Sequence, residues 1–160
     1  MSKSSHDPKK AEHFNDEGVA YARIGNLDKA ISMFRTALQY DPFYAEAHHN
    51  LAFACYQKGD LIDALTAAEA AVRLDPTNVA ALCLLSAINY ELRRIDNAID
   101  AAKRAIMFDQ NNGEAHYLLA RAYFEQRRYL DAKREAEIAL RSGGWETEAR
   151  QLLSAIQRLL

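Results

Sequence analysis

His48 and His49 stand side by side, and neighbouring imidazoles are a natural place to look for a metal site. On a helix, however, adjacent residues point about 100° apart, so the two rings would not converge on one ion. Glu46 with His49, and His13 with Asp16, are three residues apart and would share a helix face. Each pair supplies two ligands where zinc takes three or four protein groups, so neither completes a site, and no metal is expected. His48 instead shares a repeat position with His116, which suggests that both rings pack as aromatic-like side chains. There is no Gly-rich phosphate loop, no nucleophile elbow and no zinc motif, so no catalytic residue and no cofactor is assigned. Arginine offers a different chemistry. Arg93 with Arg94 and Arg127 with Arg128 recur in register and would stack into a basic ridge suited to phosphates or an acidic partner. The chain's formal net charge of −2 speaks against nucleic-acid binding, and solvated turns are the plainer reading of these arginines.

The elements that must position these residues are helices. The 160-residue chain has six glycines and three prolines, is 49% hydrophobic and 26% charged, and is rich in the residues helices favour. Residues 25–42, GNLDKAISMFRTALQYDP, are nearly repeated at 59–76, GDLIDALTAAEAAVRLDP, a shift of 34. At that shift Ala30, Ala64, Ala98 and Ala132 align, as do Ala37, Ala71, Ala105 and Ala139. Leu51, Leu85 and Leu119 also align, followed by the small residues Gly18, Ala52, Ser86 and Ala120 and then by Tyr21, Cys55, Asn89 and Tyr123. Each copy holds one run of apolar residues at helical spacing, a break, and a second run. The first helices are expected near 8–24, 44–58, 78–92 and 112–126, and the second near 28–41, 62–75, 96–109 and 130–142. Leu152, Leu153, Ile156, Leu159 and Leu160 lie at helical spacing in a ninth helix. Asn89, if buried, needs a hydrogen-bond partner. Arg93 and Arg127 replace turn glycines, and Gln110 and Gly144 replace the closing prolines Pro42 and Pro76, so the third and fourth turns are expected to differ from the first two. Arg35, Glu69, Lys103 and Glu137 alternate in sign at one repeat position, as if each faced an opposite charge on the next second helix.

These residues resemble the tetratricopeptide repeat, a 34-residue helix-turn-helix with W-x2-L-G-x2-Y, A-x3-F and P positions. The resemblance covers roughly residues 11–144 and implies an all-α, right-handed α-solenoid of four helix pairs plus a C-terminal capping helix. It divides the chain into a flexible N-terminal arm at 1–7, repeats at about 11–44, 45–78, 79–112 and 113–144 within 8–144, and a cap at 145–160. The arm is polar and lacks the apolar core of a secretory signal, and the apolar run VAALCLLSAI falls far short of the roughly 20 residues that span a bilayer. A cytoplasmic protein is expected, without membrane insertion. Cys55 and Cys83 would lie on neighbouring helices offset by about 9 Å along the axis, too far for a disulfide. Cys55 is expected in the core and Cys83 as an accessible thiol.

In this family the first helices line a concave groove, and the resemblance implies that their inward faces hold a protein or peptide partner. Those positions are Glu12, Asn15, Val19 and Arg23; His49, Asn50, Phe53 and Gln57; Cys83, Leu84, Ala87 and Glu91; and Tyr117, Leu118, Arg121 and Glu125. Phe53, Leu84, Tyr117 and Leu118 are the expected apolar anchors, with Tyr56, Tyr90 and Phe124 at the edge. One subclass grips chaperone tails with lysine, asparagine and arginine. Asn50 matches that pattern, but Val19, Ala80 and Leu84 stand where it needs polar or basic groups, so this clamp is not expected. The expected function is a non-catalytic scaffold or adaptor. The alternatives are a small cytoplasmic chaperone for a secreted or assembly-prone client, and a module that oligomerises with itself.

Overall fold

Alanine at the recurring positions lets helix backbones close on one another, and a computed structural model, describing residues 6–160, is built on that approach. Of the arm expected at 1–7, residues 1–5 lie outside the described residues. The described chain holds α1 (Pro8–Arg23), α2 (Leu27–Tyr40), α3 (Ala45–Lys58), α4 (Leu61–Leu74), α5 (Val79–Glu91), α6 (Ile95–Phe108), α7 (Gly113–Glu125), α8 (Tyr129–Ser142) and α9 (Glu146–Gln157). There is no strand among the described residues, and the all-α class is the one expected. None of these helices is long and apolar enough to cross a membrane. Two compact units result, one through Pro76 and the other Thr77–Leu160.

In the first unit α1 packs on α2 and α3 on α4, while α2 also lies against α3. In the second, α5 packs on α6, α7 on α8, α6 against α7, and α9 covers α8 and touches α7. Ala30, Ala37, Ala64, Ala98, Ala105, Ala132 and Ala139 are wholly buried and Ala71 nearly so. The first helix of each pair answers with Gly18, Ala52, Ser86 or Ala120. The Ser86 hydroxyl donates to the Ala98 carbonyl at 2.8 Å, which removes the cost of burying it. In the first pair the division of volume is different. Phe34 stands where the other second helices carry Ala68, Ala102 and Ala136, and its ring lies so close to α1 that a Cβ on Gly18 would fall 2.5 Å from it.

The turns correct the sequence reading. Gly25 and Gly59 adopt positive φ, 79° and 88°, and Arg93 and Arg127 do the same at 61°. In all four turns this residue donates to the carbonyl three residues back, and the next residue donates to the carbonyl five residues back. The pairs Arg93 to Tyr90 with Arg94 to Asn89, and Arg127 to Phe124 with Arg128 to Tyr123, match the glycine turns. Satisfying the last carbonyls of the first helix outweighs the roughly 1 kcal/mol that a side chain costs in the left-handed region. The α6–α7 turn also matches α2–α3 without its proline. His48 Nε2 lies 2.9 Å from the Pro42 carbonyl oxygen, and His116 Nε2 lies 3.0 Å from that of Gln110. His116 is therefore a polar staple and not an aromatic-like filler, since its Nδ1 also meets Glu135 on α8 at 2.7 Å. The alternating ladder is not formed as expected: Arg35 pairs with Asp63 at 2.7 Å, and Lys103 lies over the Tyr123 ring.

Two substitutions test this packing by urea denaturation. Gly18→Ala gains helix propensity but overpacks against the buried Phe34 ring, and a net loss of about 1 to 2 kcal/mol is expected. Arg127→Gly removes left-handed strain at an exposed position and is expected to add about 0.5 to 1 kcal/mol. Stabilisation by the first or destabilisation by the second would contradict the packing described.

Candidate functional site

The first helices of the first unit, α1 and α3, present Val19 and Arg23 beside Asn50, Phe53 and Gln57. Phe53 is 48% exposed, which is unusual for a phenylalanine in mid-helix. Beside it opens a cavity of about 290 Å³. Its floor is the Phe34 ring and its walls are Val19, Ala22, Ala54 and Phe53, with Arg23, Asn50 and Gln57 at the mouth. The volume is at the low end of ligand pockets, which run from about 300 Å³ upward. It suits one side chain of a partner.

A hydrogen-bond chain organises the polar side of this face. Asn15 is wholly buried, and its amide nitrogen donates to Glu46 Oε1 at 3.3 Å, with the Tyr44 hydroxyl at 3.5 Å. Asn50 then donates through Nδ2 to Asn15 Oδ1 at 3.0 Å. Because an ionised carboxylate can only accept, Glu46 sets the orientation of Asn15, and Asn15 sets that of Asn50. Asn15 thus supports the face from beneath. His49 is half-buried with Nδ1 lacking a partner among the described residues, and burial holds its pKa below the ordinary imidazole value. A neutral ring is what that position favours.

In the second unit the corresponding face, on α5 and α7, is filled. The Arg121 guanidinium lies 4.0 Å over the Tyr90 ring and 3.5 Å from Glu91 Oε1, and Tyr117 stacks on Trp145 at 5.0 Å. The Tyr90 hydroxyl donates to Glu125 at 2.9 Å and Arg93 pairs with the other oxygen of that carboxylate at 2.9 Å. Arg93 and Tyr90 hold the Glu125 carboxyl below the usual carboxylate range. Ala87 is half-buried, while Cys83, Leu84 and Leu118 are buried at 1%, 7% and 5% exposure. Of the four expected anchors, then, Phe53 is open to solvent, Tyr117 is half-buried beneath Trp145, and Leu84 and Leu118 are packed inside. Cys83 is not the accessible thiol expected: burial pushes it up to about 12, and its sulfur lies 3.9 Å from Asn112 Oδ1. Cys55 is buried, as expected.

Within the arginine cluster, Arg93 is engaged by Glu125 and Arg128 by Asp131, at 2.8 Å, leaving Arg94 and Arg127 exposed. Ala22, Phe34 and Ala54 belong to the cavity and were not among the expected site residues. One signal could have found them. The repeat position held by Tyr56, Tyr90 and Phe124 is Ala22 in the first copy, a gap visible in the sequence alone. Among the described residues no group of three or more His, Cys, Asp and Glu side chains is placed to hold a metal ion.

A family model described as tetratricopeptide repeat matches residues 15–78 and 59–115. No curated protein is matched by the sequence. Several solved structures are similar. The crystal structure of MamA is 25% identical, with 88% of this chain and 82% of that one covered and a TM-score of 0.82. MamA 41-end from Desulfovibrio magneticus RS-1 is 18% identical, with 92% and 83% covered and a TM-score of 0.84. The first TPR of Spaghetti (RPAP3), bound to the HSP90 peptide SRMEEVD, is 22% identical, with 79% and 99% covered and a TM-score of 0.75. The last two, below 25% identity, are likenesses of fold alone.

The thiols give a direct check on the packing of α3 and α5. In the native chain at about pH 8, near an unperturbed thiol pKa, neither Cys55 nor Cys83 should react with a disulfide reagent such as dithiobis-nitrobenzoate. Both should react in denaturing urea, and rapid native labelling of Cys83 would contradict its burial.

Proposed function

The chain belongs to the tetratricopeptide repeat family, and from that premise we propose that it is a non-catalytic scaffold holding a partner polypeptide on its first-helix face. The observation that carries this reading is the half-exposed Phe53 beside an open apolar cavity on α1 and α3. An apolar face that is left wet when a second face already serves the core is the usual mark of a binding surface. Phe53 is the anchor, and Asn50, Gln57 and Arg23 are polar contacts around it. The free, buried thiols suit a reducing compartment, and the cytoplasm is the natural one.

The HSP90 peptide carried by the Spaghetti structure raises a chaperone tail as a ligand. The residues here argue otherwise. Ala80 offers no charge, Leu84 is buried and Val19 is apolar, so a terminal carboxylate would forgo charge-assisted hydrogen bonds of about 1.5 to 3 kcal/mol each. The face favours a partner recognised mainly through an apolar side chain.

Parallel affinity capture with the native chain and with Phe53→Ala tests the proposal. A groove partner should be held by the first and depleted from the second, and its purified form should bind Phe53→Ala more weakly by about 1 to 3 kcal/mol in a titration. Partners that bind the variant unchanged would contradict the assignment.

A further inference from the structure

The cavity of the first unit is lined at positions where the second unit carries side chains of different size. In the first unit, Gly18 on α1 lies against the buried Phe34 ring, and with only Ala22 one turn further on, the cavity reaches down to that ring. In the second, the corresponding residues are Ser86, Tyr90 and Ala102, and Tyr90 fills the place with Arg121 stacked on its ring at 4.0 Å. Charge follows the same division. Arg121 has Glu91 at 3.5 Å and Arg93 has Glu125 at 2.9 Å. Arg23, at the mouth of the open cavity, has no ion-pair partner among the described residues. Gln57 likewise makes no hydrogen bond there, and Asn50, held by Asn15 through its nitrogen, keeps its oxygen available as an acceptor.

Building on the first-helix reading above, we propose that the partner binds the first unit as an extended segment, seating one bulky aliphatic or aromatic side chain over Phe34 and pairing a neighbouring carboxylate with Arg23. A cavity of about 290 Å³ admits one such side chain and not the several that a helix face would offer. Asn50 and Gln57, two helical turns apart on α3, flank Phe53 and present amide groups to the ligand. An extended backbone has free N–H and C=O groups to meet them, whereas a helix has already satisfied its own. The uncompensated guanidinium at the rim selects an acidic residue beside the anchor.

The test uses the full chain and a phage-displayed library of random peptides, with Ala22→Tyr as the counter-selecting variant. That substitution writes into the first unit the residue the second already carries. Peptides kept by the native chain and rejected by Ala22→Tyr should share one Leu, Ile, Met or Phe with an Asp or Glu within two residues. A synthetic peptide of that type should lose about tenfold or more in affinity for Ala22→Tyr. It should lose about two- to fivefold for Arg23→Gln, a loss that disappears when its acid is changed to the amide. Arg23 is exposed, so this second variant keeps its fold and decides the matter even if Ala22→Tyr does not melt cooperatively. Peptides that ignore both Ala22→Tyr and Arg23→Gln but fail on Phe53→Ala would overturn this inference and leave the scaffold reading standing. If no peptide is captured, or the captured ones bind Phe53→Ala unchanged, both fall.

Discussion

Helix backbones in this chain approach one another closely at positions that hold no more than a methyl or hydroxymethyl group, and most other features follow from that closeness. Ala30, Ala64, Ala98 and Ala132 have no exposed surface, and a side chain larger than theirs at the contact would push the pair apart. Bulk must therefore go elsewhere, either between pairs or onto the outer face of the first helices. The first pair is the exception, and it lines the cavity. There the second helix carries the large, buried ring of Phe34, the first helix gives way with Gly18, and Ala22 lines the cavity together with the ring. Bulk on the second helix with Gly18 and Ala22 on the first leaves a cavity, whereas in the second unit Tyr90 stands at the corresponding position with Arg121 stacked on its ring.

The short turns are a second expression of the constraint. Two helices that pack this tightly have no room for a long connection, so each intrapair turn reverses through one residue of positive φ. Glycine adopts that conformation freely, and the backbone hydrogen bonds are strong enough to force arginine into it twice. A consequence for charge is that Arg93 is carried to the edge of the first-helix face, where it neutralises Glu125. Polar groups near the second unit's face are thereby consumed by one another, whereas Arg23 in the first unit has no ion-pair partner among the described residues.

The helices were legible from the sequence to within a residue or two, because eight alanines and three leucines in register report backbone proximity directly. Asn89, a buried amide that needs a partner, donates to the Leu85 carbonyl at 2.9 Å while its Oδ1 is left without one among the described residues. The candidate site was only partly legible. Phe53, Asn50 and Gln57 sit where a helical wheel puts them, but Cys83, Leu84 and Leu118 share that wheel and are buried. The wheel gives a direction and says nothing of the neighbouring helix that covers it. Ion pairs were harder still. Arg35 reaches Asp63, about one and two-thirds turns from the expected Glu69, because a long flexible side chain takes whichever carboxylate is near. Ala22 is hard to read for a simpler reason: an absent side chain matters only when the ring behind it is known.

The most direct measurement is an amide chemical-shift titration of the full, isotope-labelled chain with a peptide selected by the native protein. The account predicts that the largest shifts fall at residues 19–23 and 50–57, around the ring of Phe34, with little change at Arg35, Leu38, Thr66 and Arg73 on the opposite side of the first unit. Shifts concentrated on that opposite side, with residues 19–23 and 50–57 unmoved, would contradict it.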